Sequence, residues 1–127
     1  MHPYDAIRSL ALKSYRAYIR DASILRGRRS AGSGKLRLLL KDGSFMDIFF
    51  SGSGKYSFHW ERRKLDGMIY RFDNAPHHPK VGLQHLHEGA EDRIVPYTLL
   101  DDPIKAFQQV MEFVKKRLQK NKRLPSL

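Results

Sequence analysis

The sequence predicts an α+β fold: an antiparallel four- or five-stranded meander packed against an N-terminal and a C-terminal helix. Three observations predict it. Between residues 35 and 73, four short stretches alternate apolar and polar side chains and are parted by glycine-bearing turns. Near both ends, apolar residues recur at three- and four-residue spacing, the pattern of a helix with one buried stripe. The length, 127 residues with 41% hydrophobic, suits one domain over 1–127 with a single core.

Each element has its own signal. Pro3 suits a first helical turn, and Tyr4, Ile7, Leu10, Ala11, Tyr15 and Tyr18 form a stripe, which predicts a helix over about 3–18. From Ile19 to Arg28 the pattern is ambiguous, since Ile24-Leu25 fits either the start of a strand or the end of the helix. The Gly-, Ser- and Arg-rich stretch Arg26 to Lys35 reads as an exposed loop. Strands follow at Lys35 to Lys41, Phe45 to Ser51, Tyr56 to Glu61 and Met68 to Asp73, joined at Asp42-Gly43, Gly52-Ser53-Gly54 and Leu65-Asp66-Gly67. Between Asn74 and Pro96 prolines and glycines break the periodicity. A connection this long is usually functional or disordered. Asp102-Pro103 then caps a helix with the stripe Ile104, Phe107, Val110, Met111, Val114 and Leu118, and a basic tail from about 119 to 127 is expected to be mobile.

Charge is the strongest pointer to a partner. The chain has 24 Lys and Arg against 13 Asp and Glu, a net of +11. Residues 1–37 carry a net of +7 and residues 115–127 a net of +6, while the stretch between them carries −2. Such a field suits polyphosphate, and RNA is the expected partner. Arg26, Arg28, Arg29, Lys35, Arg37, Lys115, Lys116 and Lys120 are the candidate backbone contacts. With no cysteine there is no disulfide, thiolate zinc site or cysteine nucleophile. No apolar run is long enough for a membrane span or a signal-peptide core, so a cytoplasmic protein without a membrane role is expected.

Histidine carries the candidate chemistry. Four of the six histidines, His77, His78, His85 and His87, lie in the irregular segment, the first two between Pro76 and Pro79. Metal-independent RNA cleavage needs a base for the 2′-OH, an acid for the leaving 5′-oxygen, and a cation for the phosphorane. His77, His78 and His87 are the expected acid and base, with His59 behind them and Arg71 as the cation. His59 alternates with the aromatic residues and therefore projects from the opposite sheet face, toward which Arg71 and Asp73 also point. The plain alternatives are a proline-rich surface loop and a solvated strand histidine. A divalent ion held by these histidines with Asp73 or Glu88 is a weaker reading, as neither HExxH nor paired-cysteine spacing occurs. No cofactor is expected. The glycine-rich pieces at Gly32-Ser33-Gly34-Lys35 and Gly52-Ser53-Gly54-Lys55 lack phosphate-loop spacing.

Three blocks also carry a family resemblance: Leu40-Lys41-Asp42-Gly43-Ser44-Phe45, Lys55-Tyr56-Ser57-Phe58-His59-Trp60, and Tyr70-Arg71-Phe72-Asp73-Asn74-Ala75-Pro76-His77-His78-Pro79. In order and spacing they resemble the TumE family of toxin components of toxin–antitoxin systems, over roughly residues 35–88. The family pattern continues with a proline before a second histidine pair, whereas here Leu86 separates His85 from His87. The resemblance implies a small toxin with a cognate antitoxin protein and, by analogy with other basic toxins, an RNA-directed activity. The expected function is therefore an endoribonuclease using loop histidines. Its rivals are a non-catalytic nucleic-acid-binding module with structural histidines, a metal-dependent nuclease, and an interaction protein whose basic face meets an acidic antitoxin. Self-association is left open.

Overall fold

Seven strands, rather than four or five, form one antiparallel sheet in strict sequence order. The structure is a computed structural model. It describes residues 2–26, 34–74, 84–89 and 93–122, with side chains to 120. The elements are α1 (Pro3–Ser14), β1 (Ile19–Arg26), β2 (Gly34–Leu40), β3 (Phe45–Phe50), β4 (Tyr56–Arg62), α2 (Arg63–Asp66), β5 (Met68–Asp73), β6 (His85–Glu88), β7 (Arg93–Pro96) and α3 (Pro103–Lys122). The α+β class and both packing helices are as expected. The extra strands are β1, β6 and β7.

Helix α1 begins where proline can sit without wasting a hydrogen bond, and the His2 ring caps it by accepting from the Tyr4 amide at 3.2 Å. It ends at Ser14, four residues short of the expected limit. Tyr15 leaves helical geometry at φ −117°, ψ 27°, and the chain turns into β1. The Tyr4 hydroxyl donates to Gly34 O at 2.8 Å and accepts from the Phe50 amide at 3.0 Å, tying α1 to both β2 and β3. At α3, Asp102 caps the first turn by accepting from the Lys105 amide at 2.9 Å.

Both helices cover one sheet face. Leu36, Leu38, Met46, Ile48, Phe58 and Trp60 point into that layer and are fully buried. Ile7 and Ala11 of α1 and Phe107, Val110 and Val114 of α3 close over them. Phe113 meets Tyr70 and Phe72 edge-on at 5.3 and 5.2 Å between ring centres, and Arg117 lies over Tyr70. Each such buried side chain contributes about 1.5–3 kcal/mol. One polar chain is built into the edge of this core. Trp60 Nε1 donates to Ser44 Oγ at 3.0 Å, Ser44 Oγ donates to Asp42 Oδ1 at 2.6 Å, and Arg62 bridges Asp42 and Asp66. Burial would raise the Asp42 carboxyl, but the hydrogen bonds from Ser44 and Arg62 outweigh it and hold it below its ordinary value.

Gly43 and Gly67 are two of the four described glycines at positive φ. Gly43 sits at φ 96° between β2 and β3, and Gly67 at φ 79° ends α2, a conformation that costs any other L-residue more.

Candidate active site

The far face of the sheet, turned away from the helices, carries a polar lattice set by strand register. Arg37 pairs with Asp47, Asp47 with His59, His59 with Arg71, and Arg71 with His87, so these side chains form one row across five strands. In the next row Ser57 pairs with Asp73, and Asp73 with His85. His59 and His87 thus flank Arg71, about 10 Å apart at the backbone given two strand spacings. Exposure peaks at Arg71, 46% of its side chain, against 24% for His59 on one side of it and 15% for His87 on the other. Asp73 and His85 are buried.

Asp73 is the hub. Its Oδ2 accepts from Arg71 Nε at 2.9 Å and lies 3.2 Å from His87 Nε2, while Oδ1 lies 3.2 Å from His85 Nδ1. A carboxylate so placed faces both imidazoles and fixes how they are oriented. Local register explains the convergence. Because β6 reads His85-Leu86-His87, both histidines project to the same side and Leu86 to the core, whereas adjacent histidines would point apart. Directly upstream, Gln84 is pinned by the Tyr56 hydroxyl at 2.8 Å and the Leu99 amide at 3.0 Å. Burial, reinforced by the nearby Asp73 charge, pushes the Tyr56 phenol up to about 12, so it remains a donor. At the other end of β5, Asn74 accepts from the Tyr56 amide at 3.0 Å and donates to Gly54 O at 2.9 Å.

The donor atoms of Asp73, His85 and His87 lie within 4.8 Å of one another, and two imidazoles with a carboxylate could hold a divalent ion. Arg71 argues against that use, because its guanidinium already sits on the same carboxylate oxygen and would repel a second cation. Glu88 is not available to this site. It pairs with Tyr70 on the helix side and lies 3.4 Å from Arg117.

The remaining expected site residues divide. His59, Arg71 and His87 are register partners side by side on β4, β5 and β6. His77, His78, Arg28 and Arg29 lie outside the described residues. Lys35 and Arg37 share the far face but are both bound to Asp47, at 2.8 and 2.7 Å. Burial would raise the Asp47 carboxyl, yet these two partners hold it below its usual range. Arg26 is exposed at the end of β1. Lys115, Lys116 and Lys120 ride on α3, which packs on the opposite side of the sheet from the histidines. On the far face Lys35 and Arg37 are paired with Asp47, Arg63 with Glu61 and Arg71 with Asp73. Asp73 as hub and His85 as its buried partner were not among the expected catalytic residues. Their signal was the alternation Arg71-Phe72-Asp73 set against His85-Leu86-His87.

A small α+β protein with a His–Asp–His–Arg cluster on the helix-free face of a seven-stranded meander is the class these observations define. A family model described as Toxin TumE matches residues 7–118, from α1 through most of α3, and the chain belongs to the TumE toxin family. A cognate antitoxin is the partner that membership implies. No curated protein and no solved structure matches the chain. Among the described residues no helix is long and apolar enough to cross a membrane.

Proposed function

We propose that this toxin acts on RNA as a metal-independent endoribonuclease, with its centre at His59, Arg71 and His87. One observation carries the reading: a guanidinium flanked by two imidazoles in a single row, with a buried carboxylate anchoring one of them. In the proposed reaction a phosphate rests on Arg71. One histidine takes the 2′-OH proton as the 2′-oxygen bonds to phosphorus. The other gives a proton to the 5′-oxygen as its bond to phosphorus breaks, leaving a 2′,3′-cyclic phosphate and a 5′-hydroxyl. His85 and Asp73 position His87. His77 and His78 follow Asp73 closely in the chain and are included as further proton-transfer groups. Arg26, Arg28, Arg29, Lys35 and Arg37 are proposed backbone contacts, the last two by exchanging Asp47 for phosphate.

The test is cleavage of a labelled single-stranded RNA by the full chain. Wild-type protein should cut with chelator present, and a 2′-deoxy nucleotide at the cleavage position should stop it. His87→Ala or His59→Ala should slow cleavage by about 10²–10⁴-fold while binding persists. RNA that is bound but intact from roughly pH 5 to 8 would favour the non-catalytic module. Activity lost to chelator would instead favour a metal at Asp73, His85 and His87, the reading their convergence supports.

A further inference from the structure

Among the described residues the two helices carry a clear excess of cations, on the side of the sheet away from the histidine cluster. Helix α1 and the turn after it carry Arg8, Lys13 and Arg16 against Asp5. Helix α3 carries Lys105, Lys115, Lys116, Arg117 and Lys120 against Glu112. The two helices are neighbours, with Tyr15 of the α1 cap edge-on to Phe107 of α3 at 5.5 Å. A field of this sign on a helical surface draws an acidic partner, and a second feature says of what kind.

Where the turn after α1 meets the last turns of α3 there is a depression of about 340 Å³. Tyr18, Leu40 and Leu118 form its apolar floor, Ala17 stands exposed at its mouth, and Lys41 and Arg62 edge it. Cations lie beside it. Arg16 is exposed next to Ala17, Lys41 is an exposed part of the lining, and Lys115, which also holds Glu112 at 3.3 Å, sits one helical turn before Leu118 and acts electrostatically on Tyr15 and Tyr18. The one acid lining it, Asp42, is engaged by Arg62 and Ser44. A phosphate backbone has no use for an apolar floor. An acidic polypeptide with a large apolar side chain among its carboxylates uses both features.

We infer that the depression bounded by Ala17, Tyr18, Leu40 and Leu118, with Arg16, Lys41 and Lys115 beside it, is a docking site for an acidic peptide segment of a partner protein anchored by an apolar side chain. The site lies across the sheet from the histidine cluster and stands independently of any reading of that cluster. Charge complementarity brings the segment in, and the anchor sets its register.

The experiment uses the full chain and three fluorescent probes: a glutamate-rich peptide with leucines at i and i+4, the same peptide with serines there, and poly-uridine. The leucine peptide should bind about tenfold or more tightly than the serine peptide, the expected worth of one buried anchor. Ala17→Trp, which fills the depression from an exposed position, should erase that difference without lowering the melting temperature. Lys41→Glu, at an exposed cation of the lining, should weaken both peptides and leave their ratio intact. Equal binding of the two peptides, or a ratio untouched by Ala17→Trp, would overturn the proposal. Poly-uridine displacing both peptides alike would assign the helical layer to nucleic acid instead.

Discussion

Replacing Asp73 by asparagine preserves the side chain's shape and removes its charge, and three neighbours register the change. Arg71 Nε at 2.9 Å, His85 Nδ1 at 3.2 Å and His87 Nε2 at 3.2 Å all face the carboxylate. An amide offers a single acceptor oxygen, so its NH₂ group must confront at least one of those nitrogens. Hydrogen bonds to a charged group contribute about 1.5–3 kcal/mol. The fully buried His85 contact counts near that range, whereas Arg71, with 46% of its side chain exposed, adds only the ~0.5 kcal/mol of a surface ion pair. The expected loss is about 2–3 kcal/mol, read as a lower urea midpoint at unchanged slope. If His87 performs proton transfer, cleavage should also fall by about 10²-fold or more, because a misoriented imidazole loses its catalytic geometry. An Asp73→Asn protein within about 0.5 kcal/mol of wild type would show that the carboxylate does not organise this cluster. A destabilised variant that still cleaves at the full rate would remove His87 from the reaction.

Ser44→Ala deprives the buried Trp60 indole of its acceptor and Asp42 of a donor, and should cost about 1–3 kcal/mol by denaturant titration. Stability unchanged by that substitution would mean that the indole finds another acceptor. Gly67→Ala meets nothing within 4 Å at its new Cβ, so only the φ of +79° opposes it, and the melting curve should report about 1 kcal/mol of destabilisation. Glu61 is held at about 2 by its Arg63 hydrogen bond, which works against burial, so its contribution is complete above about pH 4.5 and is lost as pH falls toward 2. Glu61→Gln should therefore cost roughly 1 kcal/mol at neutral pH, limited by the exposure of Arg63, and converge with wild type in acid. A gap that widens in acid would contradict this sign.

The central hairpins were readable because their side chains alternate without interruption and their turns carry glycine. Strand β1 was not, for a specific reason. An irregularity between Ile19 and Asp21 shifts the register so that Ile19 and Ala22, three residues apart, both face the core. Three-residue spacing imitates a helix and hides the strand, while Tyr15 and Tyr18 carry the helical spacing past the true end of α1 at Ser14. Strands β6 and β7 are only four residues each, too short for periodicity to show against neighbouring glycines and prolines. The histidines flanking Leu86 were noticed as chemistry rather than as the polar side of a strand. The site was half legible for the same reason: Arg71 and His59 sat on recognised strands, whereas the partner strand that brings His85 to Asp73 was unseen. Charge was legible in amount but not in direction, since composition does not say on which side of a sheet a helix will pack.

The strictly sequential strand order has a consequence during synthesis. Every strand pairs with the one made just before it, so the sheet can zip together hairpin by hairpin as the chain leaves the ribosome. The aromatic surface of that sheet, however, is capped by a helix translated after all seven strands. Until Phe107, Phe113 and Val114 emerge, Tyr70 and Phe72 face water, and the nascent protein is a sticky half-layer. The layer that buries those rings is therefore completed only once α3 has cleared the exit tunnel.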